Sequence, residues 1–281
     1  MIDTRGMARR MALGMTIVAA AAGAAGADEV GAEPAEVAKI HTADCEPVEP
    51  GAFEWFLGLE WGTARRAWDA DGDVARRGGK LRETALLFGL TRGIARDFDI
   101  GVAVAYEDAG DDAAGESARG LGDLTVAPRW KFASAGVWGL ALLPSVTLPT
   151  GSEGNDRHAG TTQGYSSAAL GMVAVAALRR ATLNLDLGCE VPFGSDRGDA
   201  RETWIADAAL GWQVHPRVQA EVELNLASEA ACGAPSCTCL ACTTGFLLLT
   251  ERLGRFQLGA QPALRGRGVD RTTSVHFAWV Y

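Results

Sequence analysis

The stretch VQAEVELNL at Val218–Leu226 alternates apolar and polar residues without exception. A period of two is typical of a β-strand with two unlike faces. In a soluble sandwich the apolar face points into the core, whereas in an outer-membrane barrel it points to lipid and the polar face lines the lumen. Glu221 and Glu223 favour the barrel, because burying their carboxylates unpaired in a dry core is very costly.

Similar segments recur from Ala52 onward, and we predict twelve strands. Their predicted ranges are 53–61, 81–94, 98–106, 123–132, 140–148, 165–178, 181–191, 203–214, 218–226, 244–252, 255–265 and 272–281. Tight turns alternate with mostly longer polar loops, such as 67–80, 107–119 and 150–164, as expected for hairpins between two sides of a membrane. The pattern predicts an all-β fold, an antiparallel up-and-down transmembrane β-barrel of about 12 strands over 52–281.

The first residues predict export. Arg9 and Arg10 precede a short apolar run, and Ala25-Gly26-Ala27 fits a cleavage site, so we predict a signal peptide at 1–27. The acidic stretch 28–51 is rich in Ala, Glu and Pro and shows no periodicity, which predicts a flexible periplasmic lead-in. Together with the barrel, export predicts localisation in the bacterial outer membrane.

Two motifs flank one predicted hairpin. Gly120-Leu121-Gly122-Asp123-Leu124 opens the fourth predicted strand, and Leu148-Pro149-Thr150-Gly151 closes the fifth. With the strand ladder between and around them, the chain resembles the outer-membrane transporter family named for the MetA pathway of phenol degradation. This resemblance implies an outer-membrane barrel that passes small, often aromatic or apolar, compounds. The cysteine-rich stretch near residue 237 is a departure from that family.

The predicted inner face is rich in acids. Residues that we expect to line the lumen are Glu60, Asp123, Arg129, Asp186, Glu221 and Glu223. Some of these charges should pair across neighbouring strands, and the excess of carboxylates predicts a lumen that disfavours anions. Leu87, Leu143, Leu247 and Leu249 fall on the same faces, which leaves room for a partly apolar route.

Four cysteines lie within the stretch CGAPSCTCLAC at 232–242. An oxidising compartment allows disulfides, so Cys232, Cys237, Cys239 and Cys242 are disulfide candidates that rigidify a surface loop. A metal site and unpaired thiols are the alternatives, although the spacing is not that of a standard zinc ribbon. Cys45 and Cys189 are expected to be unpaired.

These features predict a passive channel or transporter for small molecules, with no catalytic residues, no cofactor and no bound metal. The expected partners are outer-membrane lipid and a small-molecule solute. The net charge of −9 argues against nucleic acid, and the oligomeric state is undetermined.

Three alternatives remain open at this point. One is a closed structural or adhesive barrel whose function lies in its extracellular loops. Another is a membrane-embedded enzyme, because Ser274 and His276 share a strand face. The last is a secreted soluble β-sandwich.

Overall fold

The computed structural model describes residues 38–154, 160–195, 198, 200–230 and 236–281. The predicted signal peptide and the start of the lead-in lie outside them. Thirteen strands account for most of the described chain. They are Phe53–Trp68 (β1), Val74–Ala95 (β2), Phe98–Asp111 (β3), Glu116–Leu121 (β4), Leu124–Ala135 (β5), Trp138–Leu148 (β6), Ser166–Ala177 (β7), Ala181–Phe193 (β8), Thr203–His215 (β9), Val218–Glu229 (β10), Cys237–Thr250 (β11), Gly254–Arg267 (β12) and Asp270–Val280 (β13).

The strands close into an antiparallel barrel of twelve wall positions. β1 pairs with both β2 and β13, which joins the two ends of the sheet. β3 pairs with β4 through residues 106–111 and with β5 through residues 98–103, so β4 and β5 share one wall position, interrupted at Gly122 and Asp123. The predicted all-β barrel of about 12 strands is confirmed.

Side chains alternate between the two faces of the wall as the sequence predicts. On β10 the polar residues Gln219, Glu221, Glu223 and Asn225 are buried inside the barrel, whereas the apolar residues between them stay about half exposed on the outside. Large apolar side chains on the other strands are exposed in the same way. This outer apolar surface suits lipid, and closure gives the backbone its hydrogen-bond partners at membrane depth.

Two predicted loops are mostly strand in the structure. Much of 67–80 belongs to β1 and β2, and much of 107–119 belongs to β3 and β4. Charged residues pair across strands in this region, where Arg77 bridges Asp111 and Asp270. Backbone pairing therefore continues beyond the apolar band, where both faces are wet and the alternation that marks a strand disappears from the sequence.

The two ends of the barrel differ in their connections. At one end all turns are short, at residues 96–97, 136–137, 178–180, 216–217 and 251–253. We call this the turn end, which faces the periplasm in outer-membrane barrels. At the opposite loop end the 149–165 connection is long, whereas the predicted loop before the last strand is only a tight turn at 268–269. Among the described residues, no helix is long and apolar enough to cross a membrane.

Candidate functional site

The residues that precede β1 lie inside the barrel. Ala38–Val48, which we call the plug segment, is buried along almost its whole length, including the side chains of Lys39 and His41. The chain leaves the lumen at the turn end, where Gly51 donates a backbone hydrogen bond to Gly93. The prediction of a flexible periplasmic lead-in over 28–51 therefore does not describe this part, because polar wall residues bind its backbone and side chains.

Glu223 on β10 holds the centre of the plug segment. Its carboxylate accepts backbone N–H bonds from Ile40 at 2.7 Å, from His41 at 3.1 and 3.2 Å, and from Thr42 at 2.9 Å. The Thr42 hydroxyl donates a further bond of 3.0 Å. Consecutive N–H groups that converge on one carboxylate form a charge-assisted clamp, which is stronger than the same bonds to a neutral acceptor.

Lys39 brings a cation to the acidic wall. Its Nζ donates to the Thr182 hydroxyl at 2.7 Å and lies 3.7 Å from the Glu221 carboxylate, with both charged side chains fully buried. The Lys39 carbonyl accepts a bond from the Gln257 side chain at 3.1 Å. The plug segment thus compensates a lumen charge that would otherwise be costly to bury.

A second ionic anchor lies at the other end of the segment. Arg129 on β5 donates to Asp44 at 2.6 Å and to Asp99 on β3 at 2.6 Å. Asp99 also accepts the backbone N–H of Val48 at 2.8 Å. Burial raises the pKa of Asp44 to about 6, and the nearby Arg129 charge opposes this rise. Lys131 adds a half-exposed pair with Glu46 at 2.6 Å.

Apolar contacts complete the fit. Ala43 and Cys45 pack against Ala141, Val173 and Val175, next to the half-buried Leu143. On the opposite wall, Ala38 and Ile40 pack against Leu247. Two of the predicted lumen leucines thus lie in or beside apolar contacts with the plug segment. It touches the wall from β3 round to β13, in the turn-end half of the lumen.

His41 faces the last strand. Its ring lies edge-on to His276, with 4.1 Å between ring centroids. Neither ring nitrogen of His41 has a hydrogen-bond partner among the described residues. Burial lowers the pKa of His41 to about 4, because the charged imidazolium is poorly solvated inside the barrel.

Ser274 and His276 do lie together on the inner face. The Ser274 hydroxyl is 2.8 Å from Nε2 of His276, and Nδ1 of His276 is 3.8 Å from the Glu60 carboxylate. All three side chains are buried, and His41 covers the imidazole. The pair contributes to the polar wall against which the plug segment packs.

All six predicted lining residues are buried on the inner side of the wall. Glu221, Glu223 and Arg129 bind the plug segment directly, and Glu60 faces it through His276. The Oδ1 of Asp186 has no hydrogen-bond partner among the described residues. Asp123 lies apart from the others, at the loop end. The contribution of these six residues to a conducting path stays a prediction.

Asp123 fastens the long outer connection to the break between β4 and β5. One carboxylate oxygen accepts the Gly151 N–H at 3.0 Å, and the other accepts the Gln163 N–H at 2.8 Å. The Thr150 hydroxyl accepts the N–H of Leu124 at 3.0 Å. The two sequence motifs are therefore two halves of one clasp, which explains why they occur together at hairpin spacing.

We expect Asp123→Asn to loosen this clasp, because the amide keeps only one acceptor oxygen. Amide exchange at Gly151 and Gln163 should accelerate by roughly tenfold, which corresponds to the loss of one charge-assisted hydrogen bond. Hydrogen exchange with site resolution measures this change. Asp108→Asn, which alters an exposed acid on β3, is the control and should leave both amides unchanged. Equal exchange in the two variants would contradict the clasp.

The cysteine-rich stretch differs from its prediction. Cys237, Cys239 and Cys242 lie on β11 and not in a surface loop, and no two of them are joined by a disulfide. Cys242 lies three or more residues from the other two along the strand, at roughly 10 Å or more, which is too far for a disulfide. Cys232 lies outside the described residues, so a pairing with it stays a prediction. Cys45 and Cys189 are free thiols. The described residues contain no cluster suited to a metal ion.

Sequence reasoning missed the plug segment. Its residues show no periodicity and follow an acidic, Ala- and Pro-rich run, so they were grouped with that run. One signal was available: Glu221 and Glu223 are inner-face acids on one strand, and their burial requires a partner. Lys39, a cation that precedes the first strand, could have been considered as that partner.

The comparisons with known proteins agree with this architecture. A family model described as "Putative MetA-pathway of phenol degradation" matches residues 64–229. An outer membrane channel from Pseudomonas putida F1 has a TM-score of 0.72 and 16% identity, covering 86% of this chain and 100% of that chain. The translocator domain of the autotransporter NalP from Neisseria meningitidis has a TM-score of 0.51 and 10% identity, covering 83% of this chain and 89% of that chain. No curated protein matches.

Proposed function

Because this chain belongs to the family described as "Putative MetA-pathway of phenol degradation", we propose that it is an outer-membrane channel for small molecules whose lumen is closed by its own plug segment. The observation that carries the proposal is the burial of Ala38–Val48 inside the barrel. Passage is by diffusion, and it occurs when the segment leaves the wall.

The contacts of the plug segment suit a reversible closure. The plug segment is held by hydrogen bonds and ion pairs, most of which involve the wall residues Glu223 and Arg129 or its own Lys39. Water can replace these bonds when the segment leaves. The same contacts neutralise buried wall charges, so the closed state is favoured. Opening would expose both the acids of β10 and the apolar strip around Leu143.

The proposed solutes are small, uncharged and partly apolar or aromatic. The phenol in the family description supports this class, and so does the mixed polar and apolar inner wall. The carboxylates Glu221 and Glu223 disfavour anions in the open state. The protein's own residues bind and release the plug segment, and the proposal includes no chemical step.

A closed structural barrel is the second candidate. The observation that favours it is again the plug segment, which fills the turn-end half of the lumen with paired charges. The two candidates differ in one respect, since only a channel requires the segment to leave its place.

A reducible lock on the plug segment tests the proposal. A Cβ atom added to Gly139 on β6 would lie 3.7 Å from the Cβ of Cys45, a separation that suits a disulfide once the Cys45 thiol, which now occupies that space, rotates aside. We expect oxidised Gly139→Cys to show little single-channel conductance in a planar bilayer. Reduction with dithiothreitol should restore openings to the wild-type level.

The matched control is Gly139→Cys with Cys45→Ser, which cannot form the bond and should ignore the oxidant. Mass spectrometry establishes that the lock has formed. A locked protein that conducts like the reduced one would refute closure by the segment. A wild-type barrel that never conducts, reduced or oxidised, would support the structural barrel instead.

A further inference from the structure

Three buried side chains on the inner face of β1 and β13 stand in the order serine, histidine, glutamate. The Ser274 hydroxyl is 2.8 Å from Nε2 of His276, and Nδ1 of the same ring faces the Glu60 carboxylate at 3.8 Å. The wall fixes this order, because Ser274 and His276 are two residues apart on one strand and Glu60 pairs directly with His276.

The same order of atoms is found around an activated serine. A histidine removes the hydroxyl proton at one ring nitrogen, while a carboxylate at the other nitrogen orients the ring and stabilises the imidazolium that forms. The 3.8 Å between Nδ1 and the Glu60 carboxylate is longer than a hydrogen bond. Catalytic contacts are often long without substrate and tighten when substrate binds.

The two neighbouring strands place a glycine and an amide beside the hydroxyl. Gly62 pairs with Ser274 on β1, and a Cβ atom added to this glycine would lie 3.6 Å from the Cβ of Ser274. Gln261 pairs with Ser274 on β12, and its side-chain amide donates to Asn225 and Thr243 at 3.0 Å. The glycine leaves room for an acyl group, and the amide is a donor of the kind that stabilises an oxyanion.

The plug segment covers these side chains in the closed barrel. The His41 ring meets the His276 ring edge-on, with 4.1 Å between centroids, and Glu223 binds the backbone N–H of His41. Ser274 and His276 are each 6% exposed. A solute therefore reaches them after the segment has left.

We propose that Ser274 and His276 are the nucleophile and the base of an ester-hydrolysing site that the plug segment keeps closed. Glu60 positions the imidazole, and Gln261 donates to the oxyanion. The site rests on the proposed opening of the channel and adds a reaction to it. The sequence predicted no catalytic residues and left this pair as an open alternative, because its carboxylate partner comes from the first strand.

The reaction consumes one water and involves no oxidation or reduction. Oγ of Ser274 bonds to the ester carbonyl carbon while His276 takes the hydroxyl proton. The bond to the leaving alcohol breaks, and the alcohol receives that proton from His276. Water then attacks the acyl-serine and gives a proton to His276, the bond between Oγ and the acyl carbon breaks, and His276 returns the proton to Oγ. The products are an alcohol and a carboxylic acid.

The surroundings favour a small ester without negative charge. Glu60 lies behind the imidazole, and the Glu83 carboxylate would lie 3.9 Å from a Cβ atom added to Gly62. Like charges that meet in a binding site are costly, so an anionic substrate such as a phosphate ester is disfavoured.

Diisopropyl fluorophosphate tests the serine, because it bonds to the oxygen of an activated serine with loss of fluoride. Mass spectrometry of the C-terminal tryptic peptide 272–281 measures the rate of labelling. We expect Glu223→Gln to be labelled roughly a hundredfold faster than the wild type, since it loses two charge-assisted bonds to the plug segment. Ser274→Ala in the Glu223→Gln background should give no adduct on this peptide.

Hydrolysis of p-nitrophenyl acetate is measured on the same purified proteins. In the Glu223→Gln background, Ser274→Ala and His276→Gln should each reduce hydrolysis to the rate in buffer alone. The matched control is Ser167→Ala, which removes another buried inner-face hydroxyl, one that accepts a bond from Gln163 at 3.3 Å. It should keep both labelling and hydrolysis. An equal loss in this control would overturn the assignment to Ser274.

The role of Glu60 has its own comparison. Glu60→Gln in the Glu223→Gln background should slow labelling of Ser274 by roughly tenfold or more. Glu60→Asp keeps a carboxylate and should recover part of that loss, with the same open probability in both variants. Equal labelling by the two variants would show that Glu60 does not position the imidazole.

Single-channel conductance of Glu223→Gln separates this site from the channel function. A barrel that conducts but is neither labelled at Ser274 nor hydrolyses the ester would overturn the site and leave the channel intact. A barrel that is labelled at Ser274 but never conducts would support the site and overturn the channel. A barrel that does neither would overturn both.

Discussion

Replacement of Glu223 by Gln should open the barrel. The carboxylate accepts three backbone N–H groups and a hydroxyl from Ile40, His41 and Thr42. An amide offers one acceptor oxygen, and its own N–H₂ group faces other donors. Loss of two charge-assisted bonds costs about 3 kcal/mol, which should raise the ratio of open to closed channels by roughly a hundredfold.

Single-channel recording of the open probability in a planar bilayer measures this ratio. Asp207→Asn is the matched control, because it makes the same acid-to-amide change at an inner-face residue that accepts a hydrogen bond from the wall residue Asn225. We expect the control to keep the low open probability of the wild type. If both variants opened equally, the effect would arise from the loss of any inner-face acid and not from release of the plug segment.

Protonation of His41 should weaken docking of the plug segment as the pH falls. Inside the barrel the pKa of His41 is lowered to about 4 by burial, whereas its ordinary value is 6.5. The released segment therefore binds a proton that the docked segment excludes. His41 favours docking fully above its ordinary pKa, and this contribution is lost as the pH falls from 6.5 towards 4. Between pH 7 and pH 5, protonation of His41 therefore weakens docking of the plug segment by roughly twentyfold.

Asp44 acts in the opposite direction. Burial raises its pKa to about 6 from 3.8, so the docked segment holds a proton that the released segment gives up in that range. The contribution of Asp44 to docking of the plug segment therefore becomes more favourable as the pH falls through 6. The two contributions offset each other in the wild type, so the His41 effect is best measured as a difference between variants.

The comparison is the open probability of wild type and of His41→Gln, each recorded at pH 7 and at pH 5. On acidification the ratio of wild-type to variant openings should rise by the roughly twentyfold derived from the His41 pKa. His215→Gln, at the exposed end of β9, is the control and should behave as the wild type does. A ratio that stays constant would show that His41 is not desolvated when the segment is docked.

For most of the barrel, the local sequence predicts on which face of the wall each side chain lies. Alternation at Val218–Leu226 fixes which side chains face inward, because successive residues of a strand point to opposite faces. Five of the six predicted lining residues lie on strands and are buried inside for that reason, whereas Asp123 lies at the break between β4 and β5. The motifs at Gly120–Leu124 and Leu148–Gly151 likewise identified the family, although their role as a clasp became visible only from the bonds of Asp123.

Alternation of apolar and polar residues does not predict a strand where both of its faces meet the same surroundings. The extensions of β1, β2, β3 and β4 beyond the apolar band are polar on both sides, so their sequences read as loops. Cys237–Cys242 also lacks clear alternation, and it belongs to β11. In these parts the strand exists because its neighbours offer backbone hydrogen bonds, a condition that no short window of sequence contains.

The sequence by itself determined the twelve wall positions, the closed barrel and its acidic inner face, because each depends on a period of two repeated along the chain. The tertiary structure alone decided what those acids bind. Glu223 meets Ile40–Thr42 across more than 180 residues of chain, and Arg129 meets Asp44 across 85 residues. Both contacts depend on closure of the barrel, which brings together residues that carry no local sign of each other.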